Sequence, residues 1–139
     1  MVAVTSLTRA QQLIHQRIDA ALKPFDLTFA RYEVLMLLAF SSRGSLPMSV
    51  IGSRLQVHPA SVTSAVERLE KQGFAQRERT ESDRRMVLAR ITSTGRRTSQ
   101  RATDALNREV FADLGLTQRD LATLNGILAE LRRHEGDPA

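Results

Sequence analysis

No cysteine occurs among the 139 residues, which excludes disulfides, thiolate metal sites and any thiol redox switch, and suits a reducing compartment such as the cytoplasm. Tryptophan is absent and aromatic residues make up only 4% of the chain, so the core has to be aliphatic, a composition that favours helices. Lysine is nearly missing, with Lys23 and Lys71 the only two among 20 basic residues. No run approaches the roughly 20 apolar residues that a membrane span needs. Residues 1–22 are interrupted by Arg9, His15, Arg17 and Asp19, so they read neither as a secretory signal nor as a span, and a soluble protein without membrane attachment is expected. His15, His58 and His134 are scattered, and no Gly-rich phosphate loop or spaced set of metal ligands occurs. Catalysis, a bound metal and a cofactor are therefore not expected.

What is present is an arginine-rich chain of formal charge +5, of a length that suits a single domain over residues 1–139. A polyanionic partner fits that charge, but a GC-rich genome also enriches arginine, so the position of the charges has to decide. Apolar residues at Leu7, Ile14, Ile18, Ala21 and Leu22 form a helical stripe that Pro24 brings to an end. Thr28 stands as an N-cap before a second helix carrying Tyr32, Leu35, Met36, Leu38 and Ala39, and residues 41–45 break the pattern. A short helix from Met48 to Leu55 and another opening at Pro59 follow, joined by Gln56, Val57 and His58. Gly73 closes the latter in a left-handed conformation.

Beyond Gly73 the period changes from helical to alternating. Residues 74–79 and 86–91 read as two antiparallel strands around the charged tip 80–85, with Val87, Ala89 and Ile91 on one side. Thr92 or Ser93 caps a long helix to about Asp113. Thr117 and Asp120 form an approximate capping box for a last helix with Leu121, Leu124, Ile127, Leu128 and Leu131. The fold expected is mainly α with a small β-hairpin wing.

Helix, tight turn, helix and hairpin in that order make a winged helix-turn-helix, whose physics suits double-stranded DNA. In the helix after His58, Val62, Ala65, Val66 and Leu69 form the core face, and Ala60, Ser64, Glu67 and Lys71, flanked by Ser61, Thr63 and Arg68, are left for the major groove. Gly52 is small where the two helices cross, and Val62 packs back on it. Residues 68–101 hold ten basic against four acidic residues, an excess larger than that of the whole chain. The charge is thus concentrated on the hairpin side, where arginines can reach phosphates or an adjacent minor groove. His58, Ala60, Ser61, Thr63, Ser64, Arg68, Arg77, Arg79, Arg84 and Arg85 are the candidate DNA-binding residues. An architectural DNA binder without an effector, or a winged module for protein contact, are the alternatives that residues alone leave open.

These residues resemble the MarR-type regulators (multiple antibiotic resistance regulators). The likeness runs through Leu-Thr-Phe-Ala-Arg-Tyr-Glu-Val-Leu at 27–35, from Leu55 past His58-Pro59-Ala60-Ser61-Val62-Thr63 to Gly73-Phe74, then Asp83-Arg84-Arg85 and Ile91-Thr92-Ser93-Thr94-Gly95-Arg96. The resemblance implies a transcriptional repressor, a homodimer on a palindromic operator. Residues 28–92 would be its DNA-binding module, and 1–25 with 93–135 its helical dimerisation region. It also implies that Asp83 pairs with an arginine and holds the wing tip while Arg84 or Arg85 meets DNA. Release by a small aromatic or phenolic anion is a further implication, with His15, Tyr32, Met36 and Met48 bordering the effector cleft. Gln56 departs from the pattern, standing where the family often has Gly, and Ser64 stands where many relatives have Arg.

Overall fold

Pro24 sets the end of the first helix: α1 spans Val2–Leu22, and the chain continues as a 3-10 turn, Lys23–Phe25, to Asp26 in the left-handed region. Thr28 then starts α2 (Phe29–Phe40), its side chain accepting from the Arg31 N–H. These elements belong to a computed structural model that describes residues 1–137.

Strand β1 (Ser45–Pro47) leads into α3 (Met48–Leu55), and α4 follows at Pro59–Lys71. The turn between α3 and α4 passes through Gln56 at φ +55°, a left-handed conformation on a residue with a side chain. Close helix approach is possible because Gly52 has no side chain: a Cβ there would stand 3.3 Å from both the Val57 carbonyl and Val62. The hairpin is β2 (Ala75–Arg79) and β3 (Val87–Ile91), with Ala89 and Ile91 buried and Val87 half-buried. The hairpin expected from alternation is one part of a three-stranded antiparallel sheet, ordered β1-β3-β2, in which Leu46 pairs with Ala89.

Thr92 fastens the end of the sheet to α5 (Ser93–Leu106). Its hydroxyl accepts from the Gly95 N–H at 3.0 Å and donates to the Gly73 carbonyl at 2.7 Å. Helix α5 runs on through a π-helical turn, Asn107–Phe111, near the Asp113 expected. Helix α6 (Gln118–His134) starts at Thr117, whose hydroxyl accepts from the Asp120 N–H and donates to the Asp120 carboxylate at 2.6 Å.

Leu22, Leu35, Leu38, Ile51, Leu69, Leu106 and Val110 are fully buried in one aliphatic core joining α1 to α5 and the sheet. Each such side chain contributes roughly 1.5–3 kcal/mol of burial. Helix α6 buries no residue, and its apolar stripe stays open to solvent, with Ile127 59% exposed. The N-terminal part of the α1 stripe is likewise bare, Leu7 being 42% and Ile14 37% exposed. The two stripes therefore do not pack on each other within the chain. No helix among the described residues is long and apolar enough to cross a membrane.

Candidate nucleic-acid interface

Helix α4 buries Val62, Val66 and Leu69 and turns Ala60, Ser61, Thr63, Ser64, Glu67 and Arg68 outward, all exposed. His58 caps this helix in an unusual way, its Nδ1 accepting from the Ala60 N–H at 3.0 Å. That nitrogen must be unprotonated, so Nε2 carries the hydrogen and is left as the donor. The partial positive charge of the helix start lies beside it. Thr63 donates back to the Pro59 carbonyl at 3.1 Å, whereas the Ser61 and Ser64 hydroxyls have no partner among the described residues. A groove of about 690 Å³ runs between the outer face of α4 and the first turn of α2, bordered by Ser61, Ser64, Arg68, Thr28 and Arg31.

Arg68 lies on this groove but is not free. Its Nη2 stands 3.3 Å from the Asp26 carboxylate, which with the Asp26 carbonyl also accepts from Gln72. Gln72 in turn accepts from Arg31 Nη1 at 3.0 Å. Partial burial lowers the Arg31 guanidinium below its ordinary value, with Asp26 opposing and Arg68 adding to the shift. This Asp26–Arg31–Arg68–Gln72 cluster, missing from the sequence reading apart from Arg68, locks the start of α2 to the end of α4. Its signal was weak, because Asp26 and Gln72 are 46 positions apart.

On the wing, the structure separates arginines that the charge count could not. Arg77 is held in a clamp to α4: its guanidinium lies 3.4 Å from Glu67 and 3.2 Å from Glu70, and its main-chain N–H donates to Glu70 at 2.9 Å. That main-chain bond, more than the guanidinium, keeps the Glu70 carboxyl below its ordinary range. The clamp holds Arg77, a candidate DNA contact, against α4, and it also occupies Glu67. Arg79 donates to the Arg84 carbonyl at 2.8 Å and so braces the tip. Arg90 is paired with Glu78 at 2.7 Å.

Asp83 pairs with no guanidinium among the described residues; its bonds lie within the tip. Its carboxylate accepts from the Arg85 main-chain N–H at 3.0 Å, an Asx turn, while its N–H and carbonyl both bond the Thr80 hydroxyl. Arg84 and Arg85, the arginines of the wing tip, are exposed, and their guanidinium groups pair with no acid among the described residues.

The four effector candidates are not all in one place. Tyr32 and Met36 line a cleft of about 360 Å³ together with Phe29, Glu33, Phe40 and Phe111. His15 stands behind it, its ring edge on Phe29 at 6.4 Å. Met48 is elsewhere, in the groove between α3 and α4 with Gly52 and Val57, so it does not border this cleft. The Tyr32 hydroxyl donates at 2.7 Å to Thr103, which donates to the Ser99 carbonyl at 2.8 Å. Phe29, Glu33, Phe40 and Phe111 were missed in the sequence, although 29, 32, 33, 36 and 40 follow the helical period and lie on one face.

Comparison with known proteins bears on the whole arrangement. Residues 25–86 match the model of the MarR family. The chain is 32% identical over 85 residues to the uncharacterized HTH-type transcriptional regulator YhbI of Bacillus subtilis, covering 61% of this chain and 54% of that protein. It thus spans about half the length of the first curated relatives it matches, 54% and 44%. Among solved structures, Sco5413, a MarR family transcriptional regulator from Streptomyces coelicolor, superposes with a TM-score of 0.90 at 42% identity, over 99% of this chain and 95% of that one. Sco3205, a MarR family transcriptional regulator of the same organism solved in complex with DNA, superposes with a TM-score of 0.85 at 27% identity, over 96% of this chain and 85% of that one.

Proposed function

The chain belongs to the MarR family of transcriptional regulators, and we propose that it is a sequence-specific DNA-binding repressor, acting in the cytoplasm as a homodimer on a palindromic operator. The observation that carries this reading is the open polar face of α4, packed against a hairpin whose tip bears two guanidinium groups unpaired among the described residues. An α-helix with a face of short polar side chains fits the major groove, and His58, Ala60, Ser61, Thr63 and Ser64 are the groups placed to read it. Arg84 and Arg85 reach phosphates or the neighbouring minor groove. Arg68, Arg77 and Arg79 act through position: they fix α4 against α2 and the wing against α4.

Residues 28–92 are the DNA-binding module, and 1–25 with 93–135 the dimerisation region. The bare apolar stripes of α1 and α6 support this division, because an exposed patch of that extent wants a partner. Two-fold pairing sets the two α4 helices about 34–36 Å apart, one helical turn of DNA. A small molecule entering the cleft beside α2 changes that separation and releases the operator.

Titrating the full chain against its own promoter fragment and a scrambled duplex, at two salt concentrations, tests the reading. Binding to the promoter tighter by about 10³-fold, with two chains per site, is the expected result. Equal and steeply salt-dependent binding to both duplexes would replace it with an architectural role, and no binding at all would leave a protein-contact module.

A further inference from the structure

The chain has five Phe, one Tyr and no Trp, and four of these six aromatics, Phe29, Tyr32, Phe40 and Phe111, line one cleft of about 360 Å³. Phe29 and Tyr32 are stacked, with ring centroids 6.1 Å apart, Phe29 half-buried and Tyr32 buried beneath the cleft floor. In the single chain Phe40 is 81% exposed and Phe111 45%, so both rings are open to the cleft. The one charged group in the lining is Glu33, half-buried and without an ion pair or hydrogen bond among the described residues. Among the described residues of the single chain, no Lys, Arg or His lines the cleft.

From this arrangement we infer that the cleft binds a lipophilic organic cation, an ammonium or a delocalised nitrogen cation on an apolar body. Aromatic faces carry negative quadrupole charge and attract a cation within about 6 Å. The Glu33 carboxylate supplies its counter-ion. An anion of the same shape would meet the same faces and the same carboxylate, with no basic group to answer it. The phenolate expected from the family resemblance is therefore the wrong charge for this cleft. The burial that raises the Glu33 carboxyl above its ordinary value agrees, since a cation in the cleft restores the solvation that burial removes.

Occupancy of the cleft stands apart from the regulator reading; only its consequence for DNA rests on that reading. Tyr32 is the sole tyrosine in a chain without tryptophan, so intrinsic fluorescence reports on this cleft and on no other. The full chain, free of DNA, is titrated with adamantyl ammonium, adamantyl alcohol and adamantane carboxylate, three non-fluorescent probes of one shape and different charge. The ammonium should perturb Tyr32 emission and bind tightest, by roughly tenfold over the alcohol, and the carboxylate weakest. Glu33→Gln should remove most of that preference. Phe40→Ala, at a position too exposed to matter for folding, should weaken the ammonium and leave the fold intact by circular dichroism.

Equal binding of the three probes, a preference for the carboxylate, or a preference unchanged in Glu33→Gln would overturn the inference. So would the absence of any binding with Phe40 found against the second protomer, which would give the cleft to the dimer interface. Ammonium binding without any change in promoter affinity would keep the cation site and remove its regulatory role instead.

Discussion

Replacing Arg84 and Arg85 together by alanine should flatten the salt dependence of DNA binding, while replacing Arg77 by glutamine should hardly change it. The two wing-tip guanidiniums pair with no acid among the described residues, whereas Arg77 already faces Glu67 and Glu70 at 3.4 and 3.2 Å. Each guanidinium that neutralises a phosphate releases counterions and adds about 0.9 to the slope of log K against log salt. Two per wing in the proposed dimer make a loss of about 3.6 in slope for the double variant, if every one meets a phosphate. Between about 50 and 200 mM salt, the parent should then lose roughly 150-fold more affinity than the variant. Arg77→Gln instead removes two partly exposed ion pairs, contributing at most about 1 kcal/mol each, and loosens the wing without removing a phosphate contact. Fluorescence anisotropy on a labelled duplex across a salt series measures both slopes, and because the electrostatic contribution is independent of sequence, the operator need not be known. A double variant with the parental slope would refute the wing assignment. An Arg77→Gln variant as flat as the double variant would show that the clamp opens and that Arg77 meets DNA.

Gly95→Ala should be severely destabilising, by about 3 kcal/mol or more, because a Cβ there collides with the Phe74 main-chain carbonyl; a denaturation midpoint close to the parent's would refute that packing. Glu33→Gln should stabilise the free protein at neutral pH. Folding raises the Glu33 carboxyl through burial, so the parent's charged form is disfavoured above the ordinary carboxylate range, and the gain should vanish as pH falls through that range, where both forms are neutral. Thermal melts at neutral and acid pH measure it. Ile127→Asp with Leu131→Asp should yield a monomer by light scattering with the helical content intact, since both side chains are exposed in the single chain.

The elements most legible in the sequence are those punctuated locally. Thr28, Pro59, Gly73, Thr92 and Thr117 each act within a few residues of their own position, through a cap, a fixed φ or a positive φ, so their neighbours reveal them. Strand β1 is different. Its three residues include a proline and have no period to display; they are a strand only because β3 lies alongside, with Leu46 opposite Ala89. The same limit separates the arginines. Their sign and crowding could be counted, but Arg68 finds Asp26 from 42 positions away, and Arg77 meets Glu67 and Glu70 only because the turn at Gly73 folds β2 back on α4. The cleft was legible in half: the aromatic face of α2 follows the helical period, while Phe111 joins it from the π-helical turn.

Both candidate sites converge on α2, and that sets what a cleft ligand can do to DNA. One face of the helix lines the cleft, and its first turn holds Gln72 and, through Asp26, Arg68 of α4. A ligand shifts an equilibrium only by the difference in its affinity for the two conformers. Lowering operator affinity 100-fold thus requires about 2.7 kcal/mol of difference between the free and DNA-bound positions of α2, and DNA must weaken the ligand by the same factor. A cation between Glu33 and the aromatic wall can supply that much only if the DNA-bound position of α2 separates the carboxylate from the rings of its partners. Glu33, Phe29, Tyr32 and Phe40 all ride on α2 and move together, so the change has to fall on the groups other elements contribute: Leu55 of α3, Phe111, and the Tyr32–Thr103 hydrogen bond that joins α2 to α5. On the proposed reading, sliding of α2 along α5 is therefore the motion through which occupancy of the cleft would reach α4.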